Sequence, residues 1–251
     1  MNIENKDCIG ITERGDAALD LSWEDWVFVQ KRPAILISKD PCRLNDAVIE
    51  MTERHGFTPN IIVHCTITGL GGSKIEPNVP KPSDALNGYF SFVKMLGKDR
   101  VVLRCDPLIP ADAFVDHVLK NVMMYHLGTR IRFSFLDIYP HVRQRFEAAG
   151  IDWHKLGFKD EKLHASREDR MRLVIKMRNS VTNSSLLQAC GEPGIESAPC
   201  VSEFDCKTLG VQHMAPVFHQ RYACCCASNK TELLKMRGRC RHGCLYCYWK
   251  D

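Results

Sequence analysis

The sequence has no apolar run approaching the roughly 18 to 20 residues that span a bilayer. Its first residues, Met1-Asn-Ile-Glu-Asn-Lys-Asp7, lack both the basic and the apolar region of a leader peptide. These absences point to the cytoplasm and away from a membrane partner. Charge of one sign is not in excess: the formal net charge is +4, with 25% charged residues. That balance permits contact with nucleic acid without arguing for it, because a binding footprint needs a clustered patch. Internal repeats and low-complexity stretches are absent too. At 251 residues and 45% hydrophobic content, one domain with an appendage is expected rather than two full domains.

Cysteine, by contrast, is plentiful and uneven. Of 13, Cys8, Cys42, Cys65 and Cys105 are scattered, and the rest fall from Cys190 onward. In a cytosolic chain such a cluster reads as metal binding or redox chemistry rather than a disulfide framework.

Ahead of that cluster, short apolar runs alternate with amphipathic segments. The runs are Cys8–Thr12, Ala34–Ser38, Asn60–Thr68, Arg100–Pro107, Ile131–Ile138 and Ser184–Cys190. Helices are expected over Ser22–Gln30 (capped by Ser22), Leu44–His55 (ended by Gly56), Ser83–Leu96, Ala111–Tyr125, Val142–Ala149 and Ser166–Arg178. Six strands alternating with helices predict parallel βα units on one sheet over residues 1–190, with a cysteine-rich tail over 191–251. In such sheets functional groups collect where strands end. Polar residues at those ends include Glu13, Lys39, Thr68, Ser134, Asp137 and Glu192. Arg104 and Asp106 sit inside a strand-like run, where charges need partners; they read either as an ion pair or as the polar lining of a cavity. His64 reads as a core histidine.

The tail ends in Cys240-Arg-His-Gly-Cys244-Leu-Tyr-Cys247-Tyr-Trp. Three thiolates in a short loop can hold three irons of a 4Fe–4S cube. No fourth cysteine falls at a matching spacing, so the fourth iron stays open to a small-molecule ligand, as in catalytic rather than structural metal sites. The competing reading is a zinc knuckle, which needs no aromatic before its last cysteine. Tyr246, Tyr248 and Trp249 offer surfaces for an adenine. Further upstream, Cys190, Cys200, Cys206 and Cys224–Cys226 read as a second metal centre, most simply a 4Fe–4S cluster with four cysteine ligands, against a structural zinc site or packed thiols; which four ligate is left open, though Cys224 and Cys226, one residue apart, can converge. Cys225, between two candidate ligands, is expected to point away.

The C-x-x-x-C-x-x-C spacing and its aromatic resemble the signature of radical S-adenosylmethionine (SAM) enzymes. Several segments together are similar to a family of radical SAM-like proteins, a domain of unknown function, with remote similarity to the spore photoproduct lyase group. They are His64-Cys-Thr-Ile-Thr-Gly-Leu-Gly71, Glu76-Pro-Asn-Val-Pro80, Val102–Pro107, Ser134–Tyr139, Ala189-Cys-Gly-Glu192, Cys224 with Cys226, and Cys240–Tyr248. The resemblance implies a partial (β/α)6 TIM-like barrel. It further implies that Cys240, Cys244 and Cys247 hold a SAM-ligated 4Fe–4S cluster, that Cys190, Cys200, Cys224 and Cys226 are the four cysteines of a second 4Fe–4S site, that Tyr246, Thr68, Arg104 and Asp106 help hold SAM, and that an electron donor such as flavodoxin or ferredoxin is a partner. The implied activity is reductive cleavage of SAM to a 5′-deoxyadenosyl radical. The alternative is a metal-stabilised nucleic-acid-binding module, with Lys235, Arg237, Arg239 and Arg241 as phosphate contacts. A third reading joins the two, a radical enzyme acting on nucleic acid. The chain departs from the family at Thr12-Glu-Arg-Gly-Asp16 and at the Cys224–Cys226 triplet, which leaves the substrate open.

Overall fold

The computed structural model describes residues 8–159, 162–215 and 224–250. The leader-peptide reading at residues 1–7 lies outside them. Each expected run contains a strand: β1 Ile9–Ile11, β2 Ala34–Ser38, β3 Ile61–Thr66, β4 Val101–Leu108, β5 Arg130–Phe135 and β6 Leu187–Ala189. A seventh, β7 Lys230–Glu232, comes from within the cysteine-rich segment. Its three residues carry no apolar signal, and it is fixed by pairing with β1, where Ile9, Gly10 and Ile11 face Lys230, Thr231 and Glu232.

All strands pair in parallel, in the order β6-β5-β4-β3-β2-β1-β7. From β1 to β6 every strand is added on the same side of its predecessor. The sheet is open, with β6 and β7 at its edges.

The helices are α1 Pro41–His55, α2 Pro82–Leu96, α3 Asp112–Asn121, α4 Pro140–Ala148, α5 Arg167–Ser180 and α6 Glu203–Leu209. Local chemistry sets their ends. Asp40 caps α1 by accepting from Arg43 N (3.1 Å), Pro41 fills its first turn, and Gly56 closes it at φ 72°. Ser166 caps α5. The helix expected over Ser22–Gln30 is only a five-residue π-turn, Asp25–Val29, because the Ser22 hydroxyl turns back to Asp20 and caps nothing. α6, closed by a reciprocal Ser202–Asp205 capping box, was not anticipated.

Alternation along the strands separates two faces. One face, with Leu36, Val63, Leu103 and Phe133, packs on α1, α2, α3 and α5. The other, with Ile35, Ile37, Ile62 and Val102, is covered by Cys200, Val201, Cys206, Leu209, Cys226 and Ala227 of the cysteine-rich segment. Among the described residues no helix is long and apolar enough to cross a membrane.

Candidate metal centre

Beyond the C-terminal ends of the strands lies a cavity of ≈ 530 Å³. Each strand from β1 to β6 delivers a side chain to it: Asp16 after β1, Lys39 after β2, Thr66 on β3, Asp106 on β4, Ser134 on β5 and Cys190 after β6. In β4 the register with β5 shifts between Cys105 and Leu108, a bulge beside Asp106. Across the mouth lies the terminal loop, whose Cys240, Cys244 and Cys247 all line the same cavity. Cys190, Cys200, Cys224 and Cys226 line it as well, whereas Cys225 does not; its thiol reaches the Ser197 carbonyl (3.6 Å).

Two buried carboxylates fasten the loop. Asp16 accepts from Ser38 Oγ and Lys39 N (both 2.7 Å) and lies 2.8 Å from His242 Nε2. Burial disfavours its charge, but those bonds, led by His242, outweigh it and lower its pKa. Glu76 accepts from Lys39 Nζ (2.9 Å), Thr68 Oγ1 (2.6 Å) and the Tyr246 hydroxyl. Backbone bonds complete the seating: Leu245 N donates to Ile75 O (3.0 Å), and Asn78 Nδ2 to Arg241 O (2.9 Å). Arg145 of α4 donates to the carbonyls of Cys247 (2.6 Å) and Trp249 (2.5 Å). Gly243, at φ 66°, makes the turn between the first two cysteines.

Burial raises the pKa of two loop thiols, Cys240 and Cys244, and so keeps them protonated when no metal is bound. Burial pushes Cys244 up to about 12, against the pull of the Lys39 ammonium. Burial also works against that ammonium, but Glu76 and then Cys244 raise its pKa overall. A metal that binds here displaces protons, and Lys39 offsets the negative charge that results.

Arg104 and Asp106 satisfy both sequence readings: they pair with each other and line the cavity. Tyr246 lines it too. Thr68 does not; it is buried and orients Glu76. Glu192 lies below the mouth, paired with Arg170 (2.7 Å) and accepting from Phe135 N (2.6 Å). His64 is fully buried, and neither ring nitrogen has a hydrogen-bond partner among the described residues. Burial, then Arg132, Arg104 and Arg130, holds it neutral, well below the usual histidine range. Of the four basic residues near the loop, Arg237 and Arg239 donate to backbone carbonyls of the tail itself.

Asp16, Glu76, Asn78 and Arg145 were not singled out from the sequence as loop-holding residues. For Glu76 and Asn78 the usable signal was an acid and an amide within a glycine- and proline-rich stretch after a buried strand, Gly69 to Pro80; Asp16 and Arg145, the latter inside α4, carried none.

All thirteen cysteines are free thiols. Among the described residues no three His, Cys, Asp or Glu side chains are gathered as one metal ion would require. A family model for a domain of unknown function, DUF1848, matches residues 30–249. The chain belongs to that family. No curated protein and no solved structure matches it. The DUF1848 match takes in β2 through β7 and the whole terminal loop, so the cysteines and the carboxylates after β2 lie within it.

Proposed function

We propose that this chain is a radical SAM enzyme whose 4Fe–4S cluster is held by Cys240, Cys244 and Cys247. One observation carries the reading: these three thiols, with no fourth cysteine in their loop, face a cavity at the C-terminal ends of a parallel sheet. The donor set fits the group, since thiolates are the usual cluster ligands and three leave one iron without a protein ligand. When bound, a reduced cluster of this kind supplies a 5′-deoxyadenosyl radical from SAM.

The chain's own residues shape what happens around it. Asp16, Glu76 and Arg145 fix the loop at the cavity mouth before any cofactor arrives. Lys39 places a cation beside Cys244. Arg104, Asp106 and Ser134 form a polar wall opposite the loop, and Tyr246, Tyr248 and Trp249 present aromatic surface. The sequential strand order and the packing of α1, α2, α3 and α5 on one face support reading the sheet as an opened (β/α) barrel. The free thiols suit a reducing cytoplasm, and a reduced flavodoxin or ferredoxin is the partner this chemistry requires.

The test is anaerobic reconstitution with iron and sulfide, reduction, and addition of SAM. Formation of 5′-deoxyadenosine, abolished by Cys244→Ala, is the expected result. A protein that binds a reducible cluster and never cleaves SAM overturns the reading.

A further inference from the structure

We infer that Cys190, Cys200, Cys224 and Cys226 form a second, closed iron–sulfur centre that shares the cavity with the terminal loop. The thiols are in contact in series. Cys190 Sγ lies 3.1 Å from Cys200 Sγ, and Cys226 Sγ accepts from Cys200 N at 3.1 Å. The Cys226 side chain is also bonded to those of Cys200 and Cys224. Four cysteines from three separated stretches of chain therefore line the same cavity, while Cys225 and Cys206 do not, the latter buried on α6 against the sheet.

Their surroundings are cationic. Arg104 and Arg132 are paired neighbours on β4 and β5, on the sheet face that this segment covers. Arg132 is wholly buried, bonded to Pro199 O and to Gln188 Oε1 (2.6 Å). Arg104 acts electrostatically on both Cys190 and Cys200. A cluster with four thiolates is an anion, and burying it requires compensating charge. Zinc and a cluster take the same thiolate donors, and metal content tells them apart. Four protein ligands leave no iron open, which is the arrangement of an electron-transfer centre rather than a substrate-binding one. None of this depends on what the terminal loop holds.

The experiment reconstitutes three proteins with iron and sulfide: wild type, Cys240→Ala/Cys244→Ala/Cys247→Ala, and Cys190→Ala/Cys224→Ala. Iron and zinc per chain are counted, and the reduced samples are examined by electron paramagnetic resonance. The wild type is expected to hold about eight irons and each variant about four, from two cubes of four. The wild-type count stands even if a variant fails to fold. About four irons in the wild type, lost in the triple variant and kept in the double, overturn this proposal and leave the loop reading intact. About four irons kept in the triple variant and lost in the double support it and overturn the loop reading instead. One zinc per chain, lost only in the double variant, overturns it.

Discussion

Cys224 is the one thiol whose pKa the fold lowers: its bond to the Cys226 side chain outweighs partial burial and brings it to about 7. In the metal-free protein its alkylation by iodoacetamide should rise through pH 7 as the thiolate forms. The rate at pH 6 should be about tenfold below the plateau. Cys65 and Cys105 have no exposure, and burial pushes their thiols up, so both should stay unmodified until the protein unfolds. Peptide mass spectrometry over a pH series checks both. Asp16 offers a second residue-scale test. It is buried and joins β1, β2 and the terminal loop through four contacts. Asp16→Ala should lower stability by about 3 kcal/mol, measured by urea unfolding, because it strands buried partners. It should also expose the chain after Leu234 to limited proteolysis. A variant as stable as wild type would show that the loop is seated by other contacts.

At the scale of elements, α1 and α2 pack through Gly88. A Cβ there would stand 2.3 Å from Cys42 N and 2.4 Å from Pro41 C. Gly88→Ala must push the two helices apart, and the expected cost of about 2 kcal/mol exceeds the helix-propensity gain of about 1 kcal/mol. Unchanged urea unfolding would mean that the helices separate freely. The six strands before the tail were legible because each is a buried apolar run bounded by breakers, and α1 because Asp40-Pro41 and Gly56 mark its ends. β7 was not, because Lys230-Thr-Glu gains its conformation only from β1. The terminal cysteines were legible by spacing alone. The carboxylates beneath them were not, since Asp16 and Glu76 become site residues only when more than 160 residues of intervening chain fold back upon them.

For the whole molecule, the proposed metal sites would couple metal binding to folding. The inner face of the sheet is covered by the segment that carries the second set of cysteines, and the mouth is covered by the loop that carries the first. A ligand that binds only the folded state raises its stability by mass action. The reconstituted protein should therefore unfold at a higher temperature than the metal-free form, and removal of iron by a chelator should reverse the gain. Equal melting temperatures for the two forms would show that the cysteines are already fully held by protein contacts.

The pairing of β1 with β7 bears on biosynthesis. Residues 9–11 are synthesised long before residues 230–232, yet their outer hydrogen-bonding edge waits for them. The loop with Cys240, Cys244 and Cys247 follows later still. A nascent chain thus presents an unfinished sheet and no complete ligand set. On the proposed reading, cofactor delivery would follow synthesis of residues 230–247, so cells short of iron would accumulate folded chains whose cysteine sites are unfilled.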